Sequence, residues 1–519
     1  MFKLPDKQLT ARLLTIVLFM ILSAAGLCFS VYLFYVSYPL SVQSWLLAVG
    51  FTLLSVIAGS FNIYAAMWYY RSYQYDGYLK NIMSKLKPVT SYPTVAVLIP
   101  SYNEEPDMVE RNIKSLFALN YPKDKLGFYL VDDSTDQKIK TALQNVAKRL
   151  NVSYVHRNER KGYKAGAINT IAKRLNEDYI AIFDADEHLT DQNFLMDLLP
   201  FFQDEKVSYV QTEKKYDKGT FFSDSVDLFD AFFFKFIQPA RALNNTAIFG
   251  GSCGLIRKSA FLKIGGFPEF VIEDTFFSFE SDMHGYKSLY YPHVYASGRP
   301  IFTFTELAKQ QWRYNYGDTQ FIKYFYDKKG NMNGKSPLSY MDYAMHGLGL
   351  NYISVVLILF TLISVGVVFS PVPFAHINLM HFFSQNSWAI DLELLGFTAF
   401  TLSLMAPVFL TKFYFNSWTK GLMVFLLNYA LAFVRTKAAI ATLINKNPGM
   451  NWNRLGIKNI KNGNLKYSLF NTKTEIAFAS TMFVLAFFAF SQSNLSGGIW
   501  LTWYGLLYCL ATFFLHKYG

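Results

Sequence analysis

The sequence predicts an α/β domain built on one sheet and inserted in an α-helical transmembrane bundle. Three observations carry this. Long uncharged apolar runs stand towards both ends of the chain, a polar and mixed stretch (71–345) separates them, and within that stretch continuous apolar strands alternate with helical patterns. Composition agrees: of 519 residues, 52% are hydrophobic and 18% aromatic, more apolar than a purely soluble chain of this length would be.

The N-terminal block (1–70) reads as a transmembrane hairpin with spans 13–36 and 45–70. Each is long enough to cross about 30 Å of hydrocarbon. Lys3, Lys7 and Arg12 precede the first span, and the SYPLSVQ connector holds no Lys or Arg. The positive-inside rule therefore sets the N-terminus in the cytosol and returns the chain there at Arg71. The C-terminal block (346–519) adds spans at 348–370, 394–411, 476–491 and 499–515. Outer connectors without Lys or Arg and the inner Lys412, Lys420 and Lys517 place both termini in the cytosol of a multi-pass protein of the cell membrane. The run 421–434 is too short to span comfortably and has cytosolic-looking flanks, so it reads as an interfacial or re-entrant helix, with a thinned seventh span as the alternative. A basic cytosolic segment (435–473) follows it.

The net charge of +12 sits largely on these membrane flanks, which argues against nucleic acid and for lipid headgroups as partners. Cys28, Cys253 and Cys509 are far apart, with neither a disulfide framework nor zinc-ligand spacing. A reducing, cytosol-facing catalytic part follows.

Inside 71–345, strands are expected at 94–100, 127–133, 179–186 and 207–213. A helix between the first two carries Val109, Ile113, Leu116 and Phe117 on one face. Apolar strands alternating with helices form sheets covered on both faces, with ligands beyond the carboxyl ends of the strands. The acids fall there: Asp132 and Asp133 end one strand, Asp184 and Asp186 another. Paired carboxylates at neighbouring strand ends suit a hard divalent cation that also takes phosphate oxygens; a solvated turn is the plainer account of an isolated DxD. Glu273 and Asp274 open a helix, where dipole and capping alone favour acids, and where a general base would also fit. In KQQWRYNYGD (309–318), Arg313 suits a bidentate diphosphate contact, and Trp312 and Tyr314 offer flat faces for sugar rings. An amphipathic helix lying on the membrane is the alternative. The Phe-rich segment 225–242 reads as an interfacial helix beneath the membrane mouth, or else as a core helix of the catalytic domain.

The ordered series IPSYNE, DDST, KAGAIN, DADE, VQTE, GGSC, IED and QQWRY, over roughly residues 90 to 330, resembles the processive, membrane-embedded family 2 glycosyltransferases, which include cellulose, hyaluronan and mannan synthases. The resemblance implies a GT-A-type (Rossmann-like) mixed sheet. It places Ser101, Glu104, Asp132, Asp133, Lys161, Lys164 and Asp184 on the nucleotide sugar, with Asp184 and Asp186 holding Mg2+ or Mn2+. Gln310, Gln311 and Arg313 would close on the diphosphate. Gln211, Gly251, Ser252, Cys253, Glu273, Trp312 and Tyr314 would lie on the acceptor side, and Asp274 would be the general base. The implied reaction inverts the anomeric carbon and polymerises a β-linked polysaccharide, moving it across the membrane. UDP-glucose is favoured as donor; transfer of one sugar to a lipid is the alternative. Two departures stand out: Tyr314 replaces the Trp that ends the family's QxxRW pattern, and NWNRLGIKN (451–459) lacks the family's gating-loop pattern. Accessory subunits leave no signature.

Overall fold

In the computed structural model the described residues are 17, 21, 24, 42–157, 159–328, 332, 334–369, 406–444 and 465–518. The expected span 13–36, apart from three single residues, lies outside them. So do most of the expected span 394–411, residues 445–464 of the basic segment with NWNRLGIKN, and Cys28.

A 42-residue helix, α1 (Val42–Met83), leads into the sheet domain. There β1 (Val95–Ser101), β2 (Leu126–Asp132), β3 (Ser153–His156) and β4 (Tyr179–Ile182) alternate with α2 (Pro106–Leu116), α3 (Gln137–Leu150) and α4 (Tyr163–Ala172). Then come β5 (Glu187–Leu189), β6 (Val207–Tyr216), α5 (Phe221–Phe232), a π-helical turn (Phe233–Ile237) and α6 (Gln238–Ala242). β7 (Gly254–Arg257), α7 (Glu273–Met283), β8 (Lys287–Gly298) and α8 (Phe304–Lys328) complete the domain. Beyond it lie α9 (Pro337–Val368), α10 (Ala406–Phe415), α11 (Trp418–Ile444), α12 (Lys473–Ser491) and α13 (Leu495–Tyr518).

Among the described residues the eight strands form one mixed sheet in the order β3-β2-β1-β4-β7-β6-β8-β5. β3, β2, β1 and β4 run parallel; β7 enters antiparallel to β4 and to β6. The run 179–186, expected as one strand, breaks at Ile182, and Glu187–Leu189 leaves to pair with β8 at the far edge of the sheet. The turn between them carries Asp184 and Asp186. On α2, Val109, Ile113 and Leu116 are buried in the sheet core, as their spacing predicts.

Two expected domain boundaries fall inside helices. α1 continues unbroken past Arg71, and its Tyr75 and Leu79 pack in the sheet core. Arg71 does not emerge into solvent: it is buried and pairs with Asp342 on α9, whose helix likewise runs through the 345/346 boundary. The apolar run 421–434 is part of the 27-residue α11, which is long and apolar enough to cross a membrane. The 14-residue limit drawn from the sequence stopped at Arg435, but Arg435 lies fully buried within the helix rather than at an aqueous end. Among the described residues, Lys473–Ser491 and Gly497–Tyr518 also meet that criterion and overlap the expected segments 476–491 and 499–515.

The Phe-rich segment 225–242 is packed between the blocks. Phe236 lies against Tyr69 of α1 and Tyr414 of α10, and Phe232 against Phe415.

Candidate active site

The sheet register builds the site. Ser101 and Asp132 are side by side at the carboxyl ends of β1 and β2. The Phe183 N–H still donates to Leu98 O (3.1 Å), so Asp184 leaves β4 at the same edge. Because β7 runs the other way, the segment Gly250–Cys253 arrives there too, and Cys253 N–H donates to Ile182 O (2.8 Å). A cavity of about 740 Å³ opens above this edge, between the sheet and the helices α7, α8 and α5.

Asp184 is on its wall. Lys164 of α4 donates to its carboxylate and to Gly251 O (3.0 Å), and Lys214 of β6 lies 3.7 Å from its other oxygen. Burial alone would raise this carboxyl; the two ammonium groups hold it down at about 2. Glu187 does not face the cavity. It accepts from Asp184 N–H (2.8 Å) and Ser252 Oγ (2.6 Å) and lies 3.3 Å from Lys214, so it fixes the DADE turn from behind. Asp186 forms no such ion pair among the described residues, and Lys214 offsets its surroundings only in part. Burial, then repulsion from Asp184 and Glu187, pushes it up to about 6, and Glu104 is raised by burial and by Asp186. Negative charge is thus left over at Asp186 and Glu104, although no three His, Cys, Asp or Glu side chains among the described residues form a metal cage by themselves. That combination fits a Mg2+- or Mn2+-type ion with one or two protein carboxylates and phosphate oxygens completing its shell.

Asp274 opens α7 and lines the cavity, its Oδ1 accepting from Thr275 N–H (2.8 Å). Burial raises its affinity for a proton. Glu273 beside it is pushed up to about 7 by burial and by Asp274. On α8, Gln311, Arg313, Tyr314 and Asp318 line the cavity. Gln311, Tyr314 and Asp318 share a helix face at i, i+3 and i+7.

The structure brings twelve of the expected residues to the cavity wall: Ser101, Glu104, Asp133, Lys164, Asp184, Asp186, Gly251, Glu273, Asp274, Gln311, Arg313 and Tyr314. Others take different places. Asp132 is fully buried and accepts from Ser134 Oγ (2.5 Å) and Tyr154 OH (2.8 Å), shaping the turn after β2. Lys161 is off the wall; its carbonyl accepts from Arg157 (2.8 Å), which also pairs with Asp133. Gln211 is fully buried: it accepts from Gly250 N–H (2.7 Å) and donates to Ser252 O (3.0 Å), so it holds the 250–253 turn rather than touching an acceptor. Ser252 and Cys253, within that turn, are buried. Gln310 turns to Tyr314 OH (3.3 Å), and Trp312 packs with Val271, Tyr316 and Ala438.

Sequence reasoning did not single out Lys214, Arg160, Asp318 or Trp68. Arg160 stacks on Tyr102, 3.1 Å from the ring centroid, at the β1 end of the cavity. Asp318 lies 3.9 Å from His346 Nε2, and burial, then Asp274, raise it well above the carboxylate range. Trp68, Phe233 and Ile237 line the side facing α1 and α9. The RKGYK basic run gave a local signal for Arg160, and the Phe-rich segment 225–242 gave one for Phe233 and Ile237.

Parallel strands opening at their carboxyl edge onto an acidic cleft, with an antiparallel return, make this a GT-A-type α/β domain joined to a helical membrane region. Residues 96–265 match the family model described as Glycosyl transferase family 2. The cellulose synthase catalytic subunit [UDP-forming] of Pseudomonas fluorescens is 31% identical over 240 residues, 45% of this chain and 32% of that protein. The probable glucomannan 4-beta-mannosyltransferase 7 of Oryza sativa is 31% identical over 248 residues, 45% of this chain and 42% of that one. A mannosyltransferase from Pyrobaculum calidifontis, solved in complex with GDP-Man and Mn2+, aligns at 18% identity and a TM-score of 0.49, covering 76% of this chain and all of that one. The match spans less than half the length of these two curated relatives. Over residues 96–265 the chain is thus similar to family 2 glycosyltransferases, cellulose synthase catalytic subunits and glucomannan mannosyltransferases among them.

Proposed function

We propose that the protein transfers hexose units from a nucleotide sugar, UDP-glucose being the favoured donor, onto a glycan acceptor, building a β-linked polysaccharide that leaves through the membrane helices. The observation that carries this is the convergence of Asp184 and Asp186, Asp274 and Arg313 on one cavity between the sheet edge and the membrane helices.

The β1 end, with Ser101, Asp133 and Arg160, receives the nucleoside. Asp274 accepts the proton of the acceptor hydroxyl as that oxygen attacks the anomeric carbon from the side opposite the leaving group, so an α-linked donor yields a β-linkage. Arg313 offers its planar fork to the diphosphate as charge develops there, and Tyr314 gives the acceptor ring a flat face. Lys164 and Lys214 keep Asp184 ionised and oriented. A divalent ion held by Asp184 and Asp186 would supply Lewis-acid stabilisation of the departing diphosphate.

Purified protein incubated with Mg2+ or Mn2+ and, in turn, UDP-glucose, UDP-N-acetylglucosamine and GDP-mannose tests the reading. Release of nucleoside diphosphate together with a ladder or high-mass glycan is expected, and absence of turnover with every donor would sink it. The apolar wall of Trp68, Phe233 and Ile237 favours one second reading, a single transfer to a lipid-borne acceptor, whose product is one glycolipid.

A further inference from the structure

Arg435 is out of place in an apolar helix. It lies on α11, which is long and apolar enough to cross a membrane, and its side chain is fully buried. A guanidinium taken out of water needs hydrogen-bond partners within the protein. Here Nε and Nη2 both donate to Oε1 of Gln311, at 3.0 and 2.8 Å, and Nη1 donates to Oδ1 of Asn428 at 2.8 Å. These partners are neutral amide oxygens. The guanidinium also faces the Phe229 ring, 5.7 Å from its centroid.

A guanidinium has donors and no acceptor. The end of the Gln311 amide that faces it must therefore be oxygen, and the planar amide then turns Nε2 away. Gln311 lines the cavity, and its Nε2 has no protein acceptor among the described residues. The two N–H groups of this amide are left for whatever occupies the cavity, two residues from Arg313 and on the helix face of Tyr314. The same pair of helices is tied again further along, where Lys323 Nζ donates to Thr442 O (3.0 Å) and Thr442 Oγ1 to Tyr316 O (3.4 Å).

We propose that Arg435 is a positioning residue: by holding the Gln311 oxygen it presents the Gln311 amide N–H groups as donors to a substrate oxygen, either of the leaving diphosphate or of an acceptor hydroxyl. This rests on the glycosyl-transfer reading above. It makes the polarity of a substrate contact depend on a membrane helix: a rotation of α11 that withdraws Arg435 frees the amide to flip.

Gln311→Glu tests it, because the change keeps the length and the acceptor for Arg435 while replacing the donor. The variant keeps its Tm, since the introduced carboxylate pairs with the buried Arg435 guanidinium, and kcat/KM for the donor falls about tenfold to a hundredfold. A wild-type-like kcat/KM overturns the proposal. Arg435→Lys retains a donor-only group and keeps several-fold more activity than Arg435→Met when both are compared at equal folded fraction; equal losses overturn it. Calorimetry with the nucleoside diphosphate locates the contact: weakened binding by Gln311→Glu assigns it to the diphosphate, and unchanged binding with a raised acceptor KM assigns it to the acceptor. A wild-type protein that turns over no sugar nucleotide overturns the reaction and this inference together, whereas an active wild type with an equally active Gln311→Glu overturns this inference alone.

Discussion

Gly251 and Asp274 face each other in the cavity wall with no room for a side chain between them: a Cβ on Gly251 would stand 3.0 Å from Oδ2 of Asp274. Gly251 also has a φ of +79°, in the left-handed region. Gly251→Ala therefore strains the turn by about 1–2 kcal/mol and pushes the carboxylate aside. The expected outcome is a kcat at least about tenfold lower with little change in donor KM, because the base and not the nucleotide end is displaced. Steady-state kinetics on the folded variant checks this; an unchanged kcat would show that Asp274 has room to spare.

Asp274→Asn keeps the shape and removes the base. A loss of about 10²–10⁴-fold in turnover is expected, with nucleotide binding retained. The wild-type pH profile carries the same information. The base must be ionised to accept a proton, and burial raises its proton affinity, so activity falls as pH drops through a value above the ordinary carboxylate range. An acid limb lying near pH 4 would contradict the burial of this carboxyl.

Glu273, pushed up to about 7, is more acidic in the unfolded chain than in the fold. The native state therefore binds more protons between the two values, and Glu273 subtracts stability as pH rises through that window. Glu273→Gln should raise Tm, more at pH 8 than at pH 5.5. Thermal melts at the two pH values decide it; an equal shift at both would mean that Glu273 is not destabilised by ionisation.

Chelation should abolish turnover, and Mg2+ or Mn2+ should restore it. Asp186→Asn should raise the metal concentration needed for half-maximal activity, since Asp186 is the carboxylate of the pair that forms no lysine ion pair among the described residues. Full activity in excess chelator would remove the cation from the reaction.

Asp342 is a buried hub. It accepts from Tyr64 OH (2.6 Å), both Arg71 Nη groups (3.0 and 3.1 Å) and Thr246 Oγ1 (2.9 Å), joining α1, the segment after α6, and α9. Asp342→Ala leaves the buried Arg71 uncompensated and should destabilise the fold by about 3–5 kcal/mol. Denaturation of the purified protein measures this, and a loss below about 1 kcal/mol would imply that water reaches Arg71.

What the sequence determined by itself was whatever is written locally. VAVLIPS had to be a buried strand, because an unbroken apolar run between turn residues has no polar face to show to water. The acids of DDST and DADE had to fall at strand ends, since a strand buried on both faces cannot hold them in its middle, and Val109, Ile113 and Leu116 declared one helix face through their spacing. The tertiary structure decided which of the motif residues look into the cavity. Gln211 and Asp132 carry the right chemistry, yet their side chains are consumed by backbone and hydroxyl partners brought in from Gly250–Ser252 and Tyr154. Lys214 reaches Asp184 only because β7 places β6 near β4, a neighbourhood set by strand order rather than by spacing along the chain. The length of α11 was hidden for the same reason. Arg435 reads as the aqueous end of an apolar run until Gln311 and Asn428, 124 and 7 residues away, are found to accept from each of its three nitrogens, because burial of a charge is decided by the partners that packing delivers.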